Sequence, residues 1–204
     1  SKNQTGIRFG ETLFFDPALS RTGTISCASC HDPDLGWGDA LPTSEGLGTI
    51  AHNSPTLYGV GNQRWFFWDG RCDSLWCQAI QPFESEEEMG SNRLAMLHTF
   101  SSDADLSFAY EDVFGPLPDA SDGERFPQNA RPDADPEHPL NQAWLDMRPE
   151  DRRLVNRFLS NVGKAIAAFE RRIVSRDAPF DRFASALLSG GDPEGMEAIS
   201  DAAA

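Results

Sequence analysis

A mainly α-helical fold with long ordered loops is what this sequence predicts, and three observations predict it. Residues 149–175 carry Leu154, Phe158, Val162, Ile166, Phe169 and Ile173 at spacings of three and four, which makes one apolar stripe along a helix. No segment alternates apolar and polar residues long enough to read as a half-buried strand. Residues 16–73 are rich in Gly, Pro, Asp and Ser and show no sustained period, yet they hold Trp37, Tyr58, Trp65, Phe66, Phe67 and Trp68. Such aromatic content argues against disorder. Long loops in compact domains are usually functional when they are ordered.

The elements follow in order. Residues 6–15 read as a short helix. A second helix spans 74–83, capped by Asp73 or Ser74 and ending near Pro82. Helices at 91–100 and 103–114 come next, then a Pro- and Asp-rich loop over 115–139. The 149–175 helix has Pro149 near its start, where a missing N–H costs nothing. A further helix covers 177–188. Asp192-Pro193-Glu194 opens a last one, with an N-cap and a proline at the first helical position.

The chain has 204 residues, enough for one large domain or a domain with a tail. No internal repeat or low-complexity tract is visible. A formal net charge of −15 disfavours nucleic acid, which needs a basic face, and would steer a basic partner toward the surface. No run of 18 apolar residues is present to span a membrane. The chain starts at Ser1 with no signal peptide and stops at Ala204 within a helical stretch, which reads as a processed or trimmed product. Fourteen Phe and five Trp against two Tyr suit an apolar aromatic interior.

The chemistry lies in Cys27-Ala28-Ser29-Cys30-His31, a C-x-x-C-H motif. Two thiols add across the two vinyl groups of one haem, and the next residue then sits under the iron. His31 is thereby the proximal axial ligand of a covalently held haem c. A zinc site would need a fourth ligand, and no second Cys/His cluster stands at suitable spacing. A thioredoxin-like pair would want a βαβ setting. Haem of this kind is attached outside the cytoplasm in bacteria, so the motif implies the periplasm. A covalent cofactor would also organise the 16–73 loops. In an oxidising compartment Cys72 and Cys77 can close a disulfide if Cys72 precedes its helix; two buried thiols, or a bond to another segment, are the alternatives.

The sixth iron ligand decides the function: two strong ligands make an electron carrier, and one open face binds peroxide. The donors at hand are His52, His98, His138, Met89, Met96, Met147 and Met196. Met96, His98 and Met147 sit in apolar or aromatic surroundings and read as structural. A monohaem carrier would not need the elaborate 53–90 segment.

That segment carries a resemblance. Leu13-Phe14-Phe15-Asp16, Leu19-Ser20, Ser26–His31, His52-Asn53-Ser54-Pro55-Thr56-Leu57 and Phe67-Trp68-Asp69-Gly70-Arg71 follow one another. Gln78-Ala79, Pro82, Glu88-Met89-Gly90, Ala168-Phe169-Glu170-Arg171-Arg172 and Pro179–Phe183 continue the series. From Phe9 to Gly195 it resembles the bacterial dihaem cytochrome c peroxidase family, which includes MauG-like enzymes. The resemblance implies a class I cytochrome c-like haem domain with long loops and added helices, occupying residues 1–190. Residues 191–204 would then start toward a second haem domain. It implies that Glu88 is the distal carboxylate moving peroxide protons, with Gln78 and Pro82 beside it. Trp68 would be the electron relay between haems, and the carbonyl or side chain of Asn53 would bind a Ca²⁺. Arg71 and Arg171 are candidates to pair with haem propionates.

Two departures stand out. His52 occupies a place usually held by Arg, where it would bond a propionate or act as a removable ligand. Ser44-Glu45-Gly46-Leu47-Gly48 lacks the His that leaves the iron on activation in classical members. The resemblance thus implies reduction of hydrogen peroxide with electrons from a small periplasmic cytochrome or cupredoxin. The alternatives are MauG-like oxidation of a partner protein and a plain electron-transfer cytochrome.

Overall fold

The computed structural model describes residues 2–176 and 178–191. Among them lie α1 (Lys2–Phe15), α2 (Cys27–Cys30), α3 (Leu75–Glu84), α4 (Arg93–Ser102), α5 (Ala104–Phe114), α6 (Pro139–Asp146), α7 (Pro149–Glu170) and α8 (Pro179–Leu188). No strand occurs among the described residues; three isolated antiparallel bridges pin the loops, Asp32 to Gly38, Glu45 to Thr49 and Phe66 to Cys72. The mainly α architecture with a long loop region over 16–73 is therefore as the sequence predicts, with α2 and three short 3₁₀ turns as its only helical pieces.

Several boundaries differ, each for a local reason. α1 begins four residues earlier than expected, because nothing before Gly6 breaks a helix. Pro82 lies inside α3 rather than at its end, in the last turn. α7 stops at Glu170 instead of 175: the N–H groups of Arg172 and Ile173 turn back to Phe169 O (2.7 Å) and Glu170 O (3.0 Å), a tighter closing turn. α8 starts at Pro179, where the Asp181 carboxylate takes the Ala178 N–H at 3.0 Å. α6 was not foreseen; its marks are Pro139 at the first position and the His138 ring accepting from Leu140 N–H at 3.2 Å. The helix expected from Asp192 lies outside the described residues.

α7 is the axis of the core, with α1 and α3 packed along it. Phe158, Val162 and Ile166 are fully buried, and each contributes about 1.5–3 kcal/mol. Leu154 is 37% exposed, so the stripe passes instead through Val155 and Leu159. Two glycines let the helices touch. A Cβ on Gly10 of α1 would stand 1.9 Å from the Ala165 carbonyl oxygen of α7. A Cβ on Gly163 of α7 would stand 2.6 Å from the Trp76 carbonyl oxygen of α3. This close approach brings α3 and the C-terminal half of α7 together as two walls of one cavity.

Candidate functional site

α2 is one turn long. The Ser26 N–H donates to Ser29 Oγ at 3.0 Å, and the His31 N–H closes on Cys27 O at 2.9 Å. A separation of three puts Cys27 and Cys30 on one face of that turn. Both are free thiols, and with His31 they line a cavity of about 450 Å³. Burial pushes the Cys27 thiol far up, with the Glu170 carboxyl adding to it; burial and then Asp39 do the same for Cys30.

The His31 ring is fixed from behind. Its Nδ1 lies 3.1 Å from the carbonyl oxygen of Trp37. A carbonyl only accepts, so Nδ1 carries the proton and the Nε2 lone pair is left for a metal. Trp37 has φ +62°, a left-handed conformation that a bulky residue rarely adopts, and this turn aims its carbonyl. The turn is held by the Trp37 N–H on Asp32 O (2.7 Å) and by its indole packed against Phe14 and Phe169. Burial lowers the His31 pKa, opposed by the Trp37 carbonyl, so the ring is neutral, the ligating form.

The other walls bring together most positions singled out in the sequence; Arg171 is not among the cavity lining, and its Nη1 donates to Ala167 O at 3.1 Å. Gln78 and Pro82 of α3, Glu88 after it, Asn53 of the 49–57 loop, and Trp68 and Arg71 of the 66–72 turn all line this cavity, as does His52. Burial raises the Glu88 carboxyl above the usual range; the Ser85 hydroxyl and then Arg71 oppose this. The loop that lacks a histidine is stitched to the backbone of this acid. Leu47 N–H donates to Glu88 O (3.0 Å) and Gly48 N–H to Glu87 O (2.9 Å), with Gly46 seated where any Cβ would meet Glu87 O at 2.5 Å. Trp68 stands at the rim, 63% exposed, and its indole N–H donates to Asn53 O at 3.1 Å. That carbonyl is one of the two Asn53 oxygens expected to hold Ca²⁺, and no group of three or more His, Cys, Asp or Glu able to hold a metal ion occurs among the described residues. Met89 is buried on the same wall. Met96 and Met147 are core residues, and His98 Nε2 donates to the Phe126 and Pro127 carbonyls (3.2 Å each), so all three are structural.

Glu170 also lines the cavity, and no motif in the sequence marks it for a role. Its carboxyl is pushed up to about 8 by burial, which the adjacent Arg171 only partly offsets. A signal was present: Glu170 follows Val162 and Ile166 at helical spacing, a carboxyl on the apolar face of α7.

A haem fits this cavity. Glu170 Oε2 and Gln78 Oε1 are two of the three buried side-chain polar atoms without a hydrogen-bond partner among the described residues, and both residues face the cavity. Buried polar groups are normally paired, so these two atoms suit a polar or charged edge of a bound group. Apolar sides from Ile25, Leu57, Val60, Phe66 and Ile166 suit a flat macrocycle, and the volume is that of a cofactor pocket. Cys27, Cys30 and His31 would hold the group.

A helical frame with a long-looped cavity floored by two thiols and a neutral imidazole defines a cytochrome c-like haem domain. Residues 4–187 match the model of the di-haem cytochrome c peroxidase family, and the chain belongs to that family. It is similar to the methylamine utilization protein MauG of Methylorubrum extorquens, 30% identical over 180 residues, covering 87% of this chain and 40% of that protein. The cytochrome c551 peroxidase of Pseudomonas aeruginosa is 29% identical over 199 residues, 94% of this chain and 46% of that one. The chain thus spans less than half the length of these relatives. Its fold is shared by the crystal structure of the diheme peroxidase BthA from Burkholderia thailandensis, at TM-score 0.64 and 23% identity over 88% of this chain and 41% of that one. It is also shared by a MauG-like protein associated with microbial copper homeostasis, at TM-score 0.63 and 21% identity over 98% and 46%.

Proposed function

We propose that residues 1–190 are the peroxide-reacting haem domain of a dihaem peroxidase, with residues 191–204 leading toward an electron-entry haem domain on the same or a separate chain. The second domain is supported by the length of the relatives, more than twice the span matched here. The observation that carries the reading is the meeting of Cys27, Cys30 and His31 with Gln78, Pro82 and Glu88 around one cavity.

A bound haem supplies the redox chemistry by which hydrogen peroxide takes up two electrons and two protons and gives two waters. The chain supplies the rest. The Cys27 and Cys30 thiols would anchor the group, and His31 Nε2 would ligate its iron. Across the cavity, a Glu88 carboxyl oxygen takes the proton from one peroxide oxygen and returns it to the other, and a pKa raised by burial makes the carboxyl a better proton acceptor for that task. The Pro82 ring offers neither donor nor acceptor, so it would exclude water from its part of the cavity and supply no ligand. Gln78 Oε1, buried and unpaired, orients the incoming peroxide. Trp68, exposed at the rim, would serve as the aromatic relay toward a second haem. The donor is a small cytochrome or cupredoxin, and the compartment is the periplasm, where C-x-x-C-H haem is made.

A MauG-like outcome uses the same site with electrons drawn from a partner protein's side chain. It is favoured by the loop over residues 44–48, which carries no histidine and is bonded to the Glu87–Glu88 backbone. A six-coordinate electron carrier is the competing class, because Met89 and His52 also line the cavity.

The test is the absorption and EPR spectrum of the ferric holoprotein before and after one equivalent of hydrogen peroxide. A high-spin iron that responds, with the rate falling about 10²–10⁴-fold in Glu88→Gln, supports the peroxide reading. A low-spin iron indifferent to peroxide assigns the domain to electron transfer.

A further inference from the structure

The last residue of the 66–72 turn is tied to the first turn of α3 by a covalent bond. Phe66 and Cys72 close the turn as an antiparallel bridge, with Phe66 N–H on Cys72 O at 2.9 Å. Cys72 is then joined by a disulfide to Cys77 in α3, one residue before Gln78. Cys72 precedes the helix, which is the condition the sequence set for that bond.

One α3 side chain connects this bond to the cavity. Gln81 Nε2 donates to Cys72 Sγ at 2.7 Å and lies 3.6 Å from Cys77 Sγ. Its Oε1 accepts from Arg71 Nε at 2.9 Å. The amide has only one consistent orientation: a guanidinium has no acceptor, so the oxygen must face Arg71, and a disulfide sulfur has no proton, so the NH₂ must face Cys72. Arg71 is further held by the Asp69 carboxylate (3.0 and 3.1 Å) and by stacking 3.4 Å above the Phe67 ring. Among the described residues that line the cavity, Arg71 is the single Arg or Lys.

We propose that Gln81 is a positioning residue for the distal carboxyl: anchored by the Cys72–Cys77 disulfide, it fixes the Arg71 guanidinium on the cavity wall that Arg71 shares with Glu88. The proposal rests on the reading of Glu88 as the distal acid. The titratable and charged groups that line the cavity with Glu88 are its neighbour Glu87, Asp69 and Arg71 of the 66–72 turn, His52, Glu170 of α7, the thiols of α2 and His31 after it. Arg71 is the permanent cation in that set, and it favours the ionised acid. Arg71 is half-exposed, so its hold depends on staying in one place; a mobile arginine is screened by water.

The charge of Glu88 is read without turnover from the C–O stretch of the carbon monoxide adduct of the ferrous holoprotein, followed against pH. The wild type shows a pH step that Glu88→Gln removes. Gln81→Met keeps the disulfide and the shape but loses both hydrogen bonds, and it moves the step up by about half a pH unit, the scale of a half-exposed charge pair. Cys72→Ser with Cys77→Ser moves it the same way. If that double variant does not fold, Gln81→Met decides alone. A merely structural Gln81 would act independently of Arg71. Here Gln81→Met added to Arg71→Met moves the step no further than Arg71→Met does. A Glu88-dependent step unmoved by Gln81→Met, or moved equally in the Arg71→Met background, overturns the proposal alone. A stretch with no Glu88-dependent step overturns the reading of Glu88 and this proposal with it.

Discussion

Glu170 shows what burial does to one carboxyl on the inner face of α7. Its folded-state pKa is about 8, against about 4.3 when solvated. The folded protein therefore keeps a proton that the unfolded chain gives up, over the window from about pH 4 to about pH 8. Stability falls as pH rises through that window and is flat above it, because the folded state binds more protons there. The full effect is of the order of 4–5 kcal/mol. Glu170→Gln removes the ionisation and keeps the volume. Urea denaturation of the holoprotein at pH 5 and pH 8 is expected to show a smaller pH dependence in the variant, with the variant more stable than the wild type at pH 8. An unchanged difference between the two pH values would count against this account. The contrast with Cys27, Cys30 and His31 is instructive. A C-x-x-C-H motif is a local pattern whose spacing carries its chemistry, so it is legible in one dimension. Glu170 acts through burial and Gln81 through bonds to the 66–72 turn before its helix, and only packing shows them. That Glu88, Gln78, Pro82, Trp68, Arg71 and Asn53 share one cavity follows from no local pattern around each; an ordered series of short motifs is what singles them out.

At the scale of elements, α7 organises the molecule through close contacts. Gly163 lets the Trp76 carbonyl of α3 approach, and a Cβ there would also meet Ile80 Cγ2 at 2.5 Å. Backbone cannot yield as a flexible side chain does, so Gly163→Ala must displace α3 or α7. The alanine gains about 1 kcal/mol of helix propensity against an overpacking cost of about 1–3 kcal/mol or more. Gly10→Ala is expected to be worse, because its Cβ would lie 1.9 Å from Ala165 O. Both variants are expected to lower stability in denaturant titrations. Gly163→Ala alone should also slow the reaction with peroxide, since α3 carries Gln78 and Pro82. Gly123→Ala, with nothing within 4 Å, is the control expected to stay within about 0.5 kcal/mol of wild type. Wild-type stability in Gly163→Ala would mean that the helices have room. Periodicity marked α7 and its neighbours because an apolar stripe is a property of sequence. It missed α6, whose eight residues are too short for a clear period. It also placed the end of α7 too late, since buried Ile173 continues the stripe after the helix has turned.

At the scale of the whole molecule, charge and the site come together at the cavity rim. The chain carries 32 Asp and Glu against 17 Lys and Arg. Exposed Glu45 and Glu87 stand beside the loops that frame the cavity, with Asp69 and Glu86 paired to Arg71 and Arg21, and Trp68 and Trp65 are also exposed there, at 63% and 68%. An acidic field around an aromatic rim draws a cationic redox protein and repels an anionic one. Reduction of the ferric holoprotein by a basic cytochrome, followed by stopped flow, is therefore expected to slow by roughly tenfold or more as ionic strength rises from about 10 mM to about 200 mM, over which the screening length shrinks from about 30 Å to under 10 Å. An acidic donor of similar potential should be slow at low salt and gain as salt is added. Equal salt responses for the two donors would mean that the encounter is not steered by this surface, and that electrons enter through contacts of another kind.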